Sequence, residues 1–413
     1  MKYMIVFLLV TMVLLSGCGR VPSAHGDSTN ASSTLPENVR AMWISQFDLS
    51  LMCLSDGQAR PREEFEARVA LMVSKLRMIG INTVFLQARP NADALYPSSL
   101  FPPSSYAVGK PLTDFDYDPF GILVEACRRG EISVHAWINP LRAMRADDVR
   151  VGATDYPIGT WLADPITCGR YVVEVGDTYY LNPAYEEVRA LICAGAAEIL
   201  DAYPVDGVHM DDYFYPTTDP SFDAAAFAAM GNGRTIGDFR RAQTDTLVAA
   251  LSETARNRGR LFGVSPSGNT RRNFEELYAD VETWCQKGYL DYLCPQIYFG
   301  LEHETFPFDE VCAAFDVWAD RYKLPLIVGM TLEKAANASV GGEDIYAGNG
   351  RREWVENRDV LARCLRETQA LPSCRGVALF SYRLLFSPDN GKDNQAVTEE
   401  CERFLPAFKS MTW

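Results

Sequence analysis

Residues 205–216 read Val-Asp-Gly-Val-His-Met-Asp-Asp-Tyr-Phe-Tyr-Pro. The apolar start of this stretch predicts a short strand, and two adjacent carboxylates, Asp211 and Asp212, stand at its end. Side chains alternate along a strand, so Gly207, His209 and Asp211 are expected to share one face. Three aromatic residues follow the carboxylates, and aromatic side chains suit the flat apolar faces of ligands such as sugar rings. The stretch therefore predicts a strand that leads into a binding or catalytic site.

Seven other short apolar runs occur along the chain, and segments with helical spacing separate them. The predicted strands cover residues 39–45, 82–88, 133–139, 205–211, 261–267, 291–299, 324–332 and 376–383. The predicted helices include residues 62–79, 119–129, 183–202, 238–258 and 352–370, with a closing helix over 394–408. Alternating strands and helices indicate a parallel sheet, and eight repeats favour a closed (β/α)8 TIM barrel of the α/β class. No glycine-rich nucleotide loop follows any strand, so a nucleotide-binding fold has no support.

Four of the predicted strand-to-helix connections are long. They cover residues 89–115, 140–180, 212–237 and 333–351. In a barrel of this type all four emerge on the same face, which is the face that carries the active site. Long loops on one face predict an extended cleft, which suits a polymer better than a small metabolite.

The N-terminus resembles an export signal. Lys2 precedes an apolar run over residues 4–15 that is shorter than a membrane span. Leu-Ser-Gly-Cys follows and ends at Cys18, as in the lipobox of bacterial lipoproteins; an ordinary cleaved signal peptide is the alternative. The sequence thus predicts a protein that is exported and anchored by lipid to a bacterial membrane, facing the periplasm or the cell exterior. The predicted organisation is a signal peptide over 1–17, a tether from lipidated Cys18 over 18–38 and the barrel domain over 39–410.

The composition limits the partners. Among 413 residues the formal net charge is −15, which argues against nucleic acid as a partner. No Cys-x-x-Cys pair occurs, so a structural zinc site is not expected. Most cysteines stand in apolar helical contexts and are interpreted as small buried hydrophobes. Export also permits disulfides, with Cys364 and either Cys374 or Cys401 as candidates.

Polar residues gather at the predicted strand ends, where a packed core would not place them. One of them alone is usually a satisfied buried group, but their recurrence on seven strands predicts a polar site. The candidates for substrate binding are Gln87, Arg89, Asn91, Asp93, His135, Trp137, Asn139, His209, Tyr213, Gln296, Tyr298 and Tyr382. The catalytic candidates are Asp211, Asp212 and Glu333.

The acid pair decides the chemistry that we expect. Two carboxylates in one site repel, so one of them should keep its proton to higher pH and act as a general acid. Glycoside hydrolysis requires such a division of labour. In the simplest structural alternative, one aspartate only caps the loop. A metal held by His135, His209 and Asp211 is a second alternative, but no His-x-His or His-Glu-x-x-His motif supports it, and we expect neither metal nor cofactor.

The motifs together resemble a bacterial family, glycosyl-hydrolase-like family 10. The resemblance covers about residues 38–405 and rests on eight segments in order: 40–43, 87–98, 135–140, 181–183, 206–216, 265–268, 295–298 and 380–383. It implies an exported (β/α)8 barrel, often a lipoprotein, with Asp211 and Asp212 in the active site. It also implies a polysaccharide substrate, since some members hydrolyse peptidoglycan strands stripped of stem peptides. The sequence differs from the family at Leu141, where a tyrosine is usual. It also differs in the strand 7 region, which often carries an aromatic residue followed by lysine and here reads Thr331-Leu332-Glu333-Lys334.

The resulting hypothesis is cleavage of a glycosidic bond in a cell-wall or related polysaccharide of N-acetylated amino sugars. In one version an aspartate of the pair is the general acid, the other orients the acetamido group, and the acetamido oxygen attacks. In the other version Glu333 is the nucleophile. The rival functions are a non-catalytic glycan-binding lipoprotein and a metal-dependent hydrolase or deacetylase.

Overall fold

Eight parallel strands close into a barrel in this computed structural model, which describes residues 33–149, 155–386 and 395–413. The strands are β1 (Val39–Ile44), β2 (Thr83–Arg89), β3 (Ser133–Ile138), β4 (Gly207–Met210), β5 (Leu261–Val264), β6 (Tyr292–Leu293), β7 (Leu326–Thr331) and β8 (Cys374–Phe380). Each strand pairs with the next along the chain, and β8 pairs with β1 to close the barrel. The predicted (β/α)8 architecture is confirmed.

An outer ring of helices covers the barrel. Its main members are α1 (Arg62–Met78), α2 (Pro119–Arg129), α3 (Glu186–Ala202), α4 (Ile236–Arg256), α5 (Val281–Gln286), α6 (Phe308–Tyr322), α7 (Val360–Thr368) and α8 (Gln395–Ser410). Shorter α-helices lie at Gln46–Cys53, Ser105–Val108, Ala146–Val149, Pro157–Ala163, Ala224–Met230, Thr270–Glu275, Glu333–Ala338, Glu353–Glu356 and Tyr382–Leu385, and 3-10 turns lie at Pro220–Asp223 and Gly348–Gly350. No helix of the described residues is long and apolar enough to cross a bilayer.

Local sequence explains how these helices start and pack. Asp118 caps α2 by accepting a hydrogen bond from the Gly121 N–H, and Pro119 occupies the first helical position, where its missing N–H costs nothing. On α3 the buried residues include Val188, Ile192 and Ile199, whose spacing places them on one helix face. Truncating such a buried aliphatic side chain to alanine typically costs about 2–5 kcal/mol, so this face holds the helix on the barrel.

Aromatic side chains fill the barrel interior. Trp43, Phe85, Trp137 and Tyr292 belong to one buried cluster inside the ring of strands. Gly263 makes room for them, because a Cβ at this position would lie 2.0 Å from the ring of Tyr292. The interior is therefore a packed core that supports whatever lies at the mouth of the barrel.

Several elements differ from the sequence-based expectation, among them the helix expected over 352–370, which is divided into Glu353–Glu356 and Val360–Thr368. The sixth strand was expected over 291–299 but pairs regularly only over Tyr292–Leu293, because Pro295 has no N–H to donate and the chain continues through isolated bridges at Gln296. The long segment 140–180 contains an antiparallel sheet that we did not predict. Its strands are Arg142–Arg145, Val172–Val175 and Thr178–Leu181; a further hairpin pairs Leu54–Ser55 with Gln58–Ala59.

The predicted signal peptide and the lipidation site at Cys18 lie outside the described residues. Of the predicted tether, residues 33–38 are described, and they contact the barrel domain: the Ser33 N–H donates to the Gly259 carbonyl, and the Asn38 side chain accepts from the Trp413 N–H. All ten cysteines of the described residues are free thiols, so none of the suggested disulfides forms in this structure.

Candidate active site

A cavity of about 570 Å³ opens at the carboxyl ends of the barrel strands. It brings together nine of the sequence-predicted residues, namely Gln87, Trp137, Asn139, Asp211, Asp212, Tyr213, Gln296, Tyr298 and Glu333. It is also lined by residues that we did not single out as site residues, and these include Trp43, Phe47, Arg142, Tyr180, Arg272 and Phe380. Its walls are therefore aromatic and its base carries carboxylates, which is the composition of a sugar-binding cleft with acid chemistry.

Asp211 lies at the base of this cleft and is almost fully buried, with 3% of its surface exposed. Its Oδ2 accepts hydrogen bonds from Trp137 Nε1 at 3.0 Å and from Asn139 Nδ2 at 2.5 Å, and its Oδ1 accepts one from the Tyr213 N–H at 3.2 Å. Burial raises the pKa of Asp211 to about 7, and the charge of Asp212 adds to that rise against the three donors. Asp211 is thus a rigidly held group whose pKa is near neutral and whose protonation depends on the charge of Asp212.

Two amide side chains, linked by hydrogen bonds, hold Asp211 in place. The Gln46 N–H donates to Gln87 Oε1 at 2.7 Å, and Gln87 Nε2 donates to Asn139 Oδ1 at 2.6 Å. Because the Asn139 oxygen is occupied in this way, its Nδ2 is turned towards Asp211. Gln87 and Asn139, which were predicted to bind substrate, lie at the cleft but use their amides to orient Asp211.

Asp212 is the more accessible acid of the pair, with 21% of its side chain exposed. Its Oδ1 accepts a hydrogen bond from Gln296 Nε2 at 3.2 Å, and its Oδ2 lies 3.9 Å from Arg272 Nη1. Burial raises the pKa of Asp212, while the Arg272 charge and the Gln296 hydrogen bond oppose the rise. A carboxyl group whose pKa is raised and that faces the cleft is placed to donate a proton to a ligand.

The two barrel histidines lie beneath the cleft. His209 Nε2 accepts from Trp43 Nε1 at 3.3 Å, and the Tyr292 hydroxyl lies 3.0 Å from Nδ1 of both His135 and His209. Neither histidine is exposed. The direct contact with sugar hydroxyls that we predicted for them is not supported by this geometry, because both side chains are fully buried and neither lines the cleft.

Burial also sets the charge of these rings. It lowers the pKa of His135 from 6.5 to about 4 and that of His209 well below 6.5. Among the described residues, no group of three or more His, Cys, Asp and Glu side chains has the arrangement of a metal site. Of the ring nitrogens that were considered as metal ligands with Asp211, both nitrogens of His209 and Nδ1 of His135 bond to Trp43 or Tyr292, and Nε2 of His135 has no partner among the described residues.

Arg89, Asn91 and Asp93 lie away from the acid pair. The pairing of β2 with β3 shifts register between Gln87 and Arg89, so Arg89 no longer continues the inward alternation. Its guanidinium is buried 4.5 Å from the centre of the Phe101 ring. Asn91 and Asp93 line a second cavity of about 180 Å³. Arg89 therefore does not line the cleft, and the other two residues belong to a neighbouring depression.

The remaining candidates divide between wall and core. Tyr213 is 48% exposed and forms part of the wall, as does the half-buried Tyr298. Glu333 is exposed on the wall and starts a short helix, where its N–H donates to Thr331 Oγ1. Tyr382 is buried in the main hydrophobic core, so the sugar contact predicted for it is not supported.

Sequence reasoning missed two cationic residues of the cleft. Arg142 is supplied by the unpredicted antiparallel sheet, and Arg272 by the short helix Thr270–Glu275 after β5. The only sequence signal for Arg142 was its position two residues after the Asn-Pro motif at the end of β3. For Arg272 the Ser-Pro-Ser-Gly motif after β5 indicated a segment at the cleft, but it did not indicate that the Arg272 side chain would reach Asp212.

Comparisons with known proteins identify a family and relatives of this chain. The family described as Glycosyl hydrolase-like 10 matches residues 38–341. The chain is 29% identical to Glycosyl hydrolase DigH of Escherichia coli K12 over 424 aligned residues, covering 92% of this chain and 93% of that protein. It is 30% identical to Glycosyl hydrolase YngK of Bacillus subtilis over 333 residues, covering 74% of this chain and 63% of that protein.

A solved structure supports the fold. The PgaB (BpsB) glycoside hydrolase domain from Bordetella bronchiseptica superposes with a TM-score of 0.54 at 12% identity, covering 91% of this chain and 99% of that one. At this identity the likeness concerns the barrel architecture alone. The family match and the names of the relatives support a glycoside hydrolase, and the chain belongs to the glycosyl hydrolase-like 10 family.

Proposed function

We propose that this protein is a glycoside hydrolase that cleaves a polysaccharide of N-acetylated amino sugars in or near the bacterial cell wall, with Asp212 as general acid. One observation carries the proposal: of two adjacent carboxylates with raised pKa values, one is locked by three donors and the other faces a long aromatic cleft. The two acids then have different tasks, as glycoside hydrolysis requires.

The proposed reaction starts with the proton on Asp212. That proton passes to the glycosidic oxygen as the bond from this oxygen to the anomeric carbon breaks. The acetamido oxygen of the same sugar attacks the anomeric carbon, while Asp211 accepts a hydrogen bond from the acetamido N–H and stabilises the positive charge of the resulting ring. Water then opens this intermediate and returns its proton to Asp212.

The alternative mechanism uses Glu333 as nucleophile. Glu333 lies in the cleft wall, but its side chain is exposed, and within the described residues no hydrogen bond or ion pair holds its carboxylate. Nucleophiles are usually oriented by such contacts, so this observation favours participation of the acetamido group. A Glu333→Gln variant should fold and retain most of its activity. A trapped covalent glycosyl intermediate, or a folded but inactive variant, would support the other route.

The proposal includes export and a lipid anchor at Cys18. The support is the apolar leader and the lipobox-like end at Cys18. Expression of the full chain in a bacterium fed a labelled fatty acid should label the protein, and Cys18→Ser should abolish the label. Label on the serine variant would rule out an anchor at this residue.

The test of the activity is glycan digestion. Peptide-free peptidoglycan strands are incubated with the soluble form that begins at Ser32, and the products are analysed by mass. We expect new reducing ends from the intact enzyme and none from Asp212→Asn. Chelator should not change the result. Loss of activity in chelator would favour the metal-dependent hydrolase, and tight binding without products would favour the glycan-binding protein.

A further inference from the structure

Arg142 stands where two depressions of the surface meet. It lines both the 570 Å³ cleft with the acid pair and the 180 Å³ cavity with Asn91 and Asp93. A strand of the three-stranded antiparallel sheet carries it, and it pairs there with Tyr180. A residue on a paired strand is held more firmly than one on a free loop, so the backbone of Arg142 is fixed relative to the cleft.

Arg142 differs from the other arginines that line these cavities. Arg272 lies near Asp212 and Glu276, and Arg145 pairs with Asp177 at 3.1 Å. Within residues 33–149, 155–386 and 395–413, the Arg142 guanidinium has neither a hydrogen bond nor an ion pair. Its contact is with the ring of Tyr213, whose centre lies 5.2 Å away.

This contact holds the guanidinium without using its N–H groups. A ring below the plane of an arginine attracts the cation, and the N–H fork at the edge stays available for a carboxylate, which it fits with two parallel hydrogen bonds. In a chain of net charge −15, the cleft thus presents a half-buried arginine that no carboxylate of the described residues pairs with directly.

We propose that Arg142 binds a carboxylate carried by a sugar of the substrate, at a subsite between the acid pair and the second cavity. This inference rests on the proposed function and narrows its substrate to an acidic glycan. The charge must be close to Arg142, because at physiological salt charges more than about 8 Å apart are largely screened.

Two kinds of sugar carry such a carboxylate. In one it sits on a lactyl ether, as in peptidoglycan strands whose peptides have been removed; in the other it is carbon 6 of a uronic acid. A lactyl carboxylate that still bears a peptide is an amide and has no charge for Arg142 to bind. Under the first source, removal of the peptide creates the group that the subsite recognises.

The test measures binding rather than turnover. The full chain with Asp212→Asn is titrated with peptide-free peptidoglycan strands, with the same strands after chemical reduction of the carboxylates to alcohols, and with a polyuronate. We expect reduction to weaken binding about tenfold, as for loss of a charge-assisted hydrogen-bonded pair. Arg142→Gln in the same background should bind native and reduced strands equally, and Arg142→Lys should keep part of the preference. Arg271→Gln, an exposed arginine that lines neither cavity, is the control for net charge and should keep all of it.

The outcomes separate this inference from the proposed function. Equal binding of native and reduced strands, or a preference that survives Arg142→Gln, overturns the carboxylate subsite even if the wild-type protein cleaves both strands. An Arg142-dependent preference in a protein that cleaves no glycan keeps the subsite and overturns the hydrolase. Binding of polyuronate alone, lost in Arg142→Gln, supports the subsite and assigns the carboxylate to a uronic acid.

Discussion

At the level of single residues, Asp212 and Asp211 are chemically identical and are made different by their neighbours. Asp211 accepts three hydrogen bonds and is buried, whereas Asp212 meets Gln296 and Arg272 and faces the cleft. Because the two acids interact, the pH profile should report the pair rather than either residue. Burial raises the pKa of both acids, that of Asp211 to about 7, so the pair should lose a proton near neutral pH and kcat/KM should fall on the alkaline side.

Arg272 gives a test of this account. Its charge lowers the pKa of Asp212, so Arg272→Gln should raise that pKa further and move the alkaline limb of kcat/KM to higher pH. The direction follows because removing a nearby cation makes the ionised carboxylate less favourable. A pH–rate profile of both proteins measures the shift. A limb that stays in place, or moves to lower pH, would contradict the assignment of Asp212 to the proton-donating group.

Regular strand alternation explains which of the residues predicted from sequence line the cleft. Asp211 and Asp212 reached the cleft because β4 is regular up to Met210. Arg89 does not line the cleft, because the register shift in β2 turns its side chain away. No residue pattern in the sequence predicts such a shift. For His135 the sequence predicted a strand end, but the burial of its side chain against Phe85 and Tyr292 follows from tertiary packing, which the local sequence does not show.

At the level of elements, the segment after β4 is anchored by a buried arginine on α4. Arg240 pairs with Asp223 at 2.7 Å, donates to the carbonyls of Thr217 and Asp219, and bonds the Tyr278 hydroxyl. Both charged side chains are fully buried. The anchor holds the loop that begins with Asp212, so it links the stability of this loop to the geometry of the site.

Arg240→Gln should therefore destabilise the protein by about 3–5 kcal/mol, since it leaves a buried carboxylate without its cation. Chemical denaturation followed by circular dichroism measures the change. Arg256→Gln on the same helix breaks an exposed pair with Asp291 and should cost less than about 1 kcal/mol. Similar losses in the two variants would show that the buried pair does not anchor the loop.

Elements with a strong period were predicted well, and those with weak local signals were not. The ends of β1, β3 and β7 lie within two residues of expectation. The sequence predicts a loop for the segment that forms the sheet with Arg142, because the strands of this sheet have four residues each and show no clear alternation of apolar and polar residues. This sheet supplies Arg142, so the proposed subsite depends on an element that the sequence did not predict.

At the level of the whole molecule, the buried histidines couple stability to pH. His135 has a folded pKa of about 4 against 6.5 for the free group, so it stays neutral in the folded protein while the unfolded chain takes up a proton. Its contribution is fully present above about pH 6.5 and is lost as pH falls towards 4. Acidification to about pH 5 should remove on the order of 2 kcal/mol through this residue.

His135→Gln isolates this effect from the other titrating groups. The variant lacks the ring that must stay neutral, so its free energy of unfolding should fall less than that of the wild type between about pH 7.5 and 5. Urea unfolding of both proteins at the two pH values gives the difference. The carboxyl groups with raised pKa act in the opposite direction in both proteins and therefore cancel. Equal losses would mean that His135 is charged or exposed in the folded state.

The barrel architecture could be predicted from the sequence because eight strand–helix units follow one another along the chain. This repetition indicates the fold class even where the predicted ends of a single strand are wrong, as for β6. The residues of the cleft walls were harder to predict, since the walls combine segments that are far apart in the chain, such as those carrying Phe47, Tyr180 and Arg272. Neither spacing nor composition relates such residues to one another before the barrel has closed.

The most direct measurement compares leaving groups. Wild type and Asp212→Asn are assayed on a natural oligosaccharide of N-acetylated amino sugars and on its p-nitrophenyl glycoside, whose leaving group needs no proton. If Asp212 is the general acid, the variant should lose about 10²–10⁴-fold in kcat/KM on the natural substrate and far less on the aryl glycoside. An equal loss on both substrates, or no loss on the natural one, would contradict the account.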